Sequence, residues 1–146
     1  MPDRTVFDSI PHRHVISVPP SAFVWEAACV LTKAISGSVL VVDTHGEMHG
    51  IVTESDITMR CVAKAMDPAK TSVTDVMTRN PQTVAPDTKV LDALRIMLDR
   101  GFHSLPIVTK ASKVVGVFSL RDVSPFELGE AMSIAEFNEQ VNDALA

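Results

Sequence analysis

Short apolar runs, rich in β-branched residues, alternate along this chain with segments of helical periodicity. Runs of this kind favour buried strands, and they occur near residues 15–18, 39–42, 48–52, 82–85, 104–109 and 113–119. The intervening periodic segments predict helices: from Ser21 to about Ile35, from about Ser55 to Met66, from Asp87 to Gly101, and from near Leu120 onward. The pattern therefore predicts the element order β-α-β-β-α, written twice.

The two halves of the chain repeat each other in sequence at an offset of 66 positions. At this offset the alignment places Gly50, Thr53 and Asp56 opposite Gly116, Ser119 and Asp122. It continues without a gap back to Val15, which aligns with Pro81. Other identical pairs are Val18/Val84, Pro20/Pro86, Val24/Val90, Ala27/Ala93, Ser38/Ser104 and Val42/Val108. A repeat present only twice indicates an internally duplicated domain and not an array.

The duplication predicts a mixed α/β (α+β) fold of two copies. Each copy spans about sixty residues, too few to bury a sheet alone, so we expect two copies packed with pseudo-twofold symmetry and ligand clefts between them. By the same offset, Phe7 and Ile10 match Val73 and Val76, which makes the N-terminal residues a lead-in. The predicted parts are a first copy with its lead-in, a linker, a second copy and a C-terminal amphipathic helix, at 1–66, 67–80, 81–130 and 131–146.

The C-terminal helix is predicted from a capping box between Ser133 and Glu136. It carries an apolar stripe that must pack on this core or on a partner, formed by Ile134, Phe137, Val141 and Leu145.

Composition narrows the class of protein. The 146 residues are 46% hydrophobic and 21% charged, which are globular values. No apolar run is long enough to span a membrane, and the N-terminus lacks the apolar core of a signal peptide, so we expect a cytoplasmic protein. The net charge of −5 argues against a nucleic-acid partner. Cys29 and Cys61 lack metal-binding spacing and are expected to be buried, reduced thiols.

A hydroxyl followed three residues later by an aspartate ends the last strand of each copy, as Ser119 with Asp122 and Thr53 with Asp56. The hydroxyl suits a helix N-cap, and the N–H groups of a helix start favour anions such as phosphate. The carboxylate offers two acceptors to a vicinal diol such as ribose. The alternative is that each pair only caps its helix, and the duplication strengthens the ligand-binding interpretation.

Other chemistry is sparse in the sequence. His12, His14, His45 and His49 do not form a recognisable set of metal ligands, and no metal site is predicted. Ser119 has no base at a readable spacing, so we expect no catalytic residues and no enzyme.

The duplicated pattern resembles a known family. Three segments are typical of the CBS domain, and a tandem pair of them resembles a Bateman module: Val73–Thr78, Gly101–Val108 and Gly116–Asp122. The resemblance covers roughly residues 5–130. It implies a regulatory module without catalytic residues or a required cofactor. Such a module binds AMP, ADP, ATP or another adenosyl compound between its repeats, and usually dimerises.

The resemblance also implies two sites, each joining residues of both copies. The first would combine Ser119, Arg121 and Asp122 with Ile16 and Ser36-Gly37-Ser38, supported by His103. The second would combine Thr53 and Asp56 with Thr78, Gln82 and Phe102-His103-Ser104. The hydroxyl would bind phosphate, the aspartate the ribose, and the backbone beside the apolar strand the adenine.

The first copy departs from the family pattern at three positions. Leu40 stands opposite Pro106, Gly37 opposite His103 and Ser55 opposite Arg121. Fewer positive groups therefore surround Asp56, and we expect weaker phosphate binding there than at Asp122.

Two functions remain open from the sequence. One is a stand-alone ligand-sensing module that signals in trans to an unidentified protein, and the family resemblance implies that it is a homodimer. The other is a ligand-free CBS-pair scaffold for dimerisation or for binding an enzyme.

Overall fold

The computed structural model describes residues 4–10, 15–34 and 36–145, and these fall into two compact units. The first unit draws its described residues from His14–Gln82 and Ala111–Val114. The second draws them from Met1–Arg13, Thr83–Lys110 and Val115–Ala146. The N-terminal segment is thus grouped with elements of the second sequence copy.

The first unit is a four-stranded sheet with helices. Its strands lie in the order β1-β2-β3-β4, with β1 parallel to β2 and the other pairs antiparallel. The strands are β1 Ser17–Val18, β2 Ser38–Val42, β3 Met48–Thr53 and β4 Thr78–Arg79. The helices are α2 Val24–Ala34 and α3 Glu54–Ile57, which continues as a π-helical turn Thr58–Val62, and a 3₁₀ turn follows at Val73–Asp75.

The second unit carries the same plan with a longer final helix. Its elements are α1 Val6–Ser9, α4 Val90–Arg100, β5 Ser104–Val108, β6 Val114–Ser119, a 3₁₀ turn Leu120–Asp122 and α5 Pro125–Leu145. Gly101 ends α4 in the left-handed conformation (φ 71°), as its position after the last helical turn predicts. The prediction of a mixed α/β fold built from two repeats is confirmed; the pseudo-twofold packing stays a prediction.

Backbone pairing reproduces the duplication. Val18 pairs with Val41 in parallel, and Val84 pairs with Ile107 in parallel at the same offset. The strand predicted at 82–85 is nevertheless only this isolated bridge. In the first unit the Leu40 N–H donates to the Ile16 carbonyl (3.0 Å), whereas Pro106, at the equivalent position, has no N–H to donate.

The N-terminal lead-in corresponds to the segment around Val73, but the offset is one residue longer than the predicted 66 positions. Val73 N donates to the Ala22 carbonyl (3.0 Å), and Val6 N donates to the equivalent Thr88 carbonyl (2.8 Å). Val6, and not Phe7, therefore occupies the place of Val73. Both are fully buried, and burial of this position decides the register.

Two helices begin later than predicted. Ser21 lies in a turn before α2, and Asp87 precedes α4, whose N-cap residue, Lys89, makes no side-chain capping bond to the helix. The segments before both helices form antiparallel bridges instead, Phe23 with Ser72 and Thr5 with Lys89. Partners distant in sequence thus satisfy the backbone groups that a cap was expected to satisfy.

The C-terminal prediction is wrong in two respects. Leu120 begins only a 3₁₀ turn, because a residue before proline disfavours helical backbone and Ser124 precedes Pro125; the long helix starts at Pro125. Ser133 does not cap a new helix, since its hydroxyl donates to the Gly129 carbonyl (2.9 Å) inside α5. Ile134 is 37% exposed, and the side chains of Phe137, Val141 and Leu145 lie outside the described residues.

Each unit has its own apolar core. The first core packs Val24, Ala27 and Leu31 of α2 against strand residues and Cys61, and the second packs α4 against Leu105, Ile107 and Phe118 among others. Cys61 is buried as predicted, Cys29 is half-buried, and both are free thiols.

The equivalent glycines of β3 and β6 give the first prediction. A Cβ on Gly50 would lie 2.6 Å from the Thr78 carbonyl oxygen, whereas one on Gly116 would lie 2.6 Å from the Ile10 Cδ1, the end of a flexible side chain. Gly50→Ala should therefore cost about 1–3 kcal/mol of unfolding free energy, and Gly116→Ala less, by overpacking. Urea unfolding measures both.

The matched control for these variants is Gly129→Ala in α5. No atom lies within 4 Å of its added Cβ, so it should gain about 0.5–1 kcal/mol through helix propensity. Equal losses from Gly50→Ala and Gly116→Ala would contradict the argument from backbone contact.

Candidate functional site

Thr53 and Asp56 form a reciprocal pair of hydrogen bonds at the start of α3. Thr53 N donates to Asp56 Oδ2 (2.9 Å), and Asp56 N donates to Thr53 Oγ1 (3.1 Å). This capping box ends β3, starts the helix and fixes the rotamer of the aspartate. The prediction that Thr53 and Asp56 cap a helix is therefore confirmed.

Ser119 and Asp122 repeat the arrangement after β6. Ser119 N donates to Asp122 Oδ2 (2.9 Å), and the Ser119 hydroxyl lies 3.3 Å from the same oxygen. Only a 3₁₀ turn follows, so the dipole of a long helix, expected from the sequence, does not begin at Ser119.

The carboxylates of Asp56 and Asp122 differ in their burial and in their charged neighbours. Asp56 is buried, and its Oδ1 lies 3.8 Å from Arg60 Nε. Arg60 also donates to the carbonyls of Val76 and Met77 (3.2 and 3.0 Å). Asp122 is half-buried, and both of its described side-chain bonds go to Oδ2. The two described bonds of Asp122 thus go to one oxygen, whereas Oδ1 of Asp56 faces a guanidinium.

Each unit brings its aspartate turn beside a second predicted segment. The Gly37 carbonyl accepts from Glu54 N (3.2 Å), and the His103 carbonyl accepts from Leu120 N (3.3 Å). Ser38 also pairs with Thr53 across β2 and β3. Ser36-Gly37-Ser38 thus lies next to the Thr53 turn, and Phe102-His103-Ser104 next to the Ser119 turn.

The remaining predicted residues also have defined places. Ile16 is half-buried, and its carbonyl accepts the hydrogen bond from Leu40 N. Thr78, in β4, pairs with Ile51 of β3. Gln82 is half-buried, whereas His103 and Arg121 are exposed. The combination of residues from opposite copies into one site stays a prediction.

A groove of about 440 Å³ opens at Asp122. It is lined by Arg4, Arg121, Asp122, Val123, Ser124, Phe126 and Glu127. Arg4 and Glu127 were not foreseen from the sequence, because the repeat offset says nothing of a contact between residue 4 and residue 127.

Glu127 is a buried carboxylate that lines the groove. It forms a capping box with Ser124, whose N donates to Glu127 Oε1 (3.1 Å), and a Ser-Pro-x-Glu sequence was a readable signal for it. Arg4 donates to both carboxylate oxygens, at 2.6 and 3.2 Å. Burial raises the pKa of Glu127, but the bonds from Ser124 and Arg4 outweigh it and hold that pKa below its ordinary value.

A smaller cluster lies on the β2–β3 hairpin, where one ligand-type atom from each of Asp43, Glu47 and His49 lies within 4.8 Å of the others. The hydrogen bond from His49 (2.8 Å), with bonds from the backbone of Glu47 and His45, lowers the pKa of Asp43. These three contacts already occupy the Asp43 carboxylate as a cap of the turn.

No helix in the described part of the chain combines the length and apolar character needed to cross a lipid bilayer.

Comparison with known protein families finds one match in each copy. The sequence pattern of the CBS domain matches residues 6–62 and 73–126, one match for each copy. The chain belongs to the CBS-domain family. The two matches place one Ser/Thr-x-x-Asp turn in each CBS repeat.

Relatives are known by sequence and by structure. An uncharacterized 17.7 kDa protein of Acidianus ambivalens is 36% identical over 110 residues, which is 75% of this chain and 65% of that protein. The chain therefore spans slightly less than two thirds of that relative.

Two solved structures share the fold. The CBS domain pair of the protein MJ0100, in complex with 5′-methylthioadenosine and S-adenosyl-L-methionine, is 28% identical with a TM-score of 0.77 over 88% of this chain and 99% of that one. A CBS domain protein of Pyrobaculum aerophilum, complexed with AMP, is 24% identical with a TM-score of 0.79 over 89% of this chain and 99% of that one.

The charge at Glu127 gives a prediction on pH. Because its folded pKa lies below the ordinary 4.5, its contribution to stability is complete above that value and is lost as the pH falls through the folded pKa. Glu127→Gln should therefore lower the melting temperature near neutral pH, and its difference from wild type should shrink in acid.

Thermal melts across the acid range measure this difference. The control is Glu139→Gln, an exposed position of the same helix, where a surface substitution should stay within about 0.5 kcal/mol. A Glu127→Gln deficit that is constant with pH would show that packing, and not charge, holds this residue.

Proposed function

We propose that this CBS pair is a regulatory module that binds an adenine nucleotide or related adenosyl compound and signals to a partner protein. The observation that carries the proposal is the Asp-bearing turn, present twice in the same backbone frame. A solved CBS pair at 28% identity that holds two adenosyl compounds supports the ligand class. The proposed activity is binding and not catalysis, and a cytoplasmic location stays a prediction.

The proposed roles follow from the groups around Asp122. Asp122 Oδ1 accepts from the ribose diol, while Oδ2 keeps the backbone bond that fixes the turn. The Ser119 hydroxyl rotates from Asp122 towards phosphate, and Arg121 and His103 add polar groups on the same unit.

We propose weaker binding at Asp56. Its carboxylate is buried and faces Arg60, so a ribose would have to compete with an ion pair already made. Phe126 stands at the position equivalent to Arg60 in the second copy, and Asp122 therefore lacks that competitor.

The proposal predicts a thermal shift. Ligand at about 100 times its dissociation constant should add about 2.7 kcal/mol of stability, which raises the melting temperature by about 5–15 °C. Asp122→Ala should lose most of the shift, because ribose hydroxyls are then left unpaired, and Asp56→Ala should lose less. Scanning fluorimetry with AMP, ATP and S-adenosylmethionine measures it, each variant against its own ligand-free melt.

The matched control is Asp8→Ala. Asp8 forms the same capping box with Thr5 (3.4 and 3.2 Å) at the start of α1, so the variant removes a cap while keeping the ligand shift. A 2′-deoxy nucleotide on wild type should mimic Asp122→Ala. Absence of any shift with every adenosyl compound would refute sensing and favour the scaffold function.

We also propose that the chain forms a homodimer through the first unit. Large apolar side chains are exposed on and beside its helices: Phe23 43%, Trp25 58%, Met59 67%, Val62 62% and Met66 38%. Apolar exposure on this scale favours a protein contact.

Light scattering tests the dimer. The mass should be about twice 15.8 kDa, and Trp25→Glu should halve it, because a charge would be buried in the contact. His45→Glu, at an exposed hairpin turn, adds the same charge and should leave the dimer intact. A monomer mass for wild type across a hundredfold dilution would overturn the proposal.

A further inference from the structure

Arg4 connects three parts of the second unit that are far apart in sequence. Its guanidinium binds both oxygens of Glu127 (2.6 and 3.2 Å), and its Nη2 also donates to the Asp122 carbonyl (2.9 Å). Its own carbonyl accepts from Val90 N at the start of α4 (2.9 Å). A lysine would not reproduce this geometry, because only a planar guanidinium forms such a fork.

The groove at Asp122 holds a balanced set of charges. Two arginines, Arg4 and Arg121, line it together with two carboxylates, those of Asp122 and Glu127. Glu127 has a side chain only 10% exposed, and hydrogen bonds to it lower its pKa, so it keeps its charge at neutral pH. Without Arg4, the groove would carry one net negative charge where an anionic ligand must approach.

We propose that Arg4 is a specificity-determining residue that makes this groove accept anionic adenosyl ligands. Arg4 cancels the charge of Glu127 and holds the peptide carbonyl of Asp122, so that Asp122 meets the ribose without a second uncompensated carboxylate beside the phosphate. This inference rests on the proposed function and deepens it: the favoured ligand is a nucleotide and not an uncharged nucleoside.

The ligand pair that tests this is AMP and adenosine, which share the base and the ribose but differ in the phosphate. Calorimetry on the full chain should find that Arg4→Met weakens AMP about five- to tenfold, the Coulomb effect of one charge on a dianion at groove distance. Adenosine should lose less than about twofold. High salt should shrink the AMP deficit, because it screens the repulsion.

Two further variants separate charge from structure. Arg4→Met with Glu127→Gln removes both members of the pair and should restore AMP binding to near wild type. Arg4→Lys keeps the charge but loses the fork, and should retain AMP binding better than Arg4→Met does. Urea unfolding of each variant reports whether the second unit is intact.

Equal losses of AMP and adenosine in Arg4→Met, with no rescue by Glu127→Gln, would assign Arg4 a purely structural role and overturn this inference while leaving the proposed function standing. Wild type that binds neither AMP nor adenosine would overturn this inference, and the proposed function would fail with it only if ATP and S-adenosylmethionine also fail to bind.

Discussion

The reciprocal bond between a strand-ending hydroxyl residue and an aspartate three positions later is the constraint on which each unit depends. In both units it stops the second hairpin strand, starts a helical turn and fixes where the carboxylate lies. One aspartate oxygen makes the backbone bond that holds the turn, and the other oxygen of the same side chain is a further acceptor. Capping and ligand binding are therefore compatible interpretations of these pairs, since a carboxylate has acceptors for both.

Duplication preserves the backbone and lets the chemistry of the two turns diverge. The parallel pairing of Val18 with Val41 recurs as Val84 with Ile107, yet Pro106 removes one strand bond that Leu40 makes. Arg60 forms an ion pair with Asp56 in the first unit, whereas the equivalent sequence position in the second is Phe126. The second turn is contacted by a cation from the N-terminal segment instead, because Arg4 donates a hydrogen bond to the Asp122 carbonyl.

Local signals predicted much of this architecture. The 66-residue offset identified the two turns, their aspartates and the family, and Gly101 marked the end of α4 because a left-handed residue must end that helix. Errors concentrated where a distant partner or a proline decided the outcome: the starts of α2 and α4, the one-residue shift of the lead-in, and the break between Leu120 and Pro125. Ser124 with Glu127 was readable as a cap, and Ser133 was the weaker candidate because its hydroxyl has an acceptor inside the helix.

The sequence by itself determined the repeat, the strand-to-helix turns and the aspartates at their ends, because these depend on side chains within a few residues of one another. Only the tertiary structure decided the grouping of the N-terminal segment with the second copy, and the electrostatic balance at Asp122. The Arg4–Glu127 pair joins residues 123 positions apart, and no local periodicity or repeat encodes such a contact. Its formation depends on how the apolar core places Val6 and α5, which is a property of packing and not of sequence pattern.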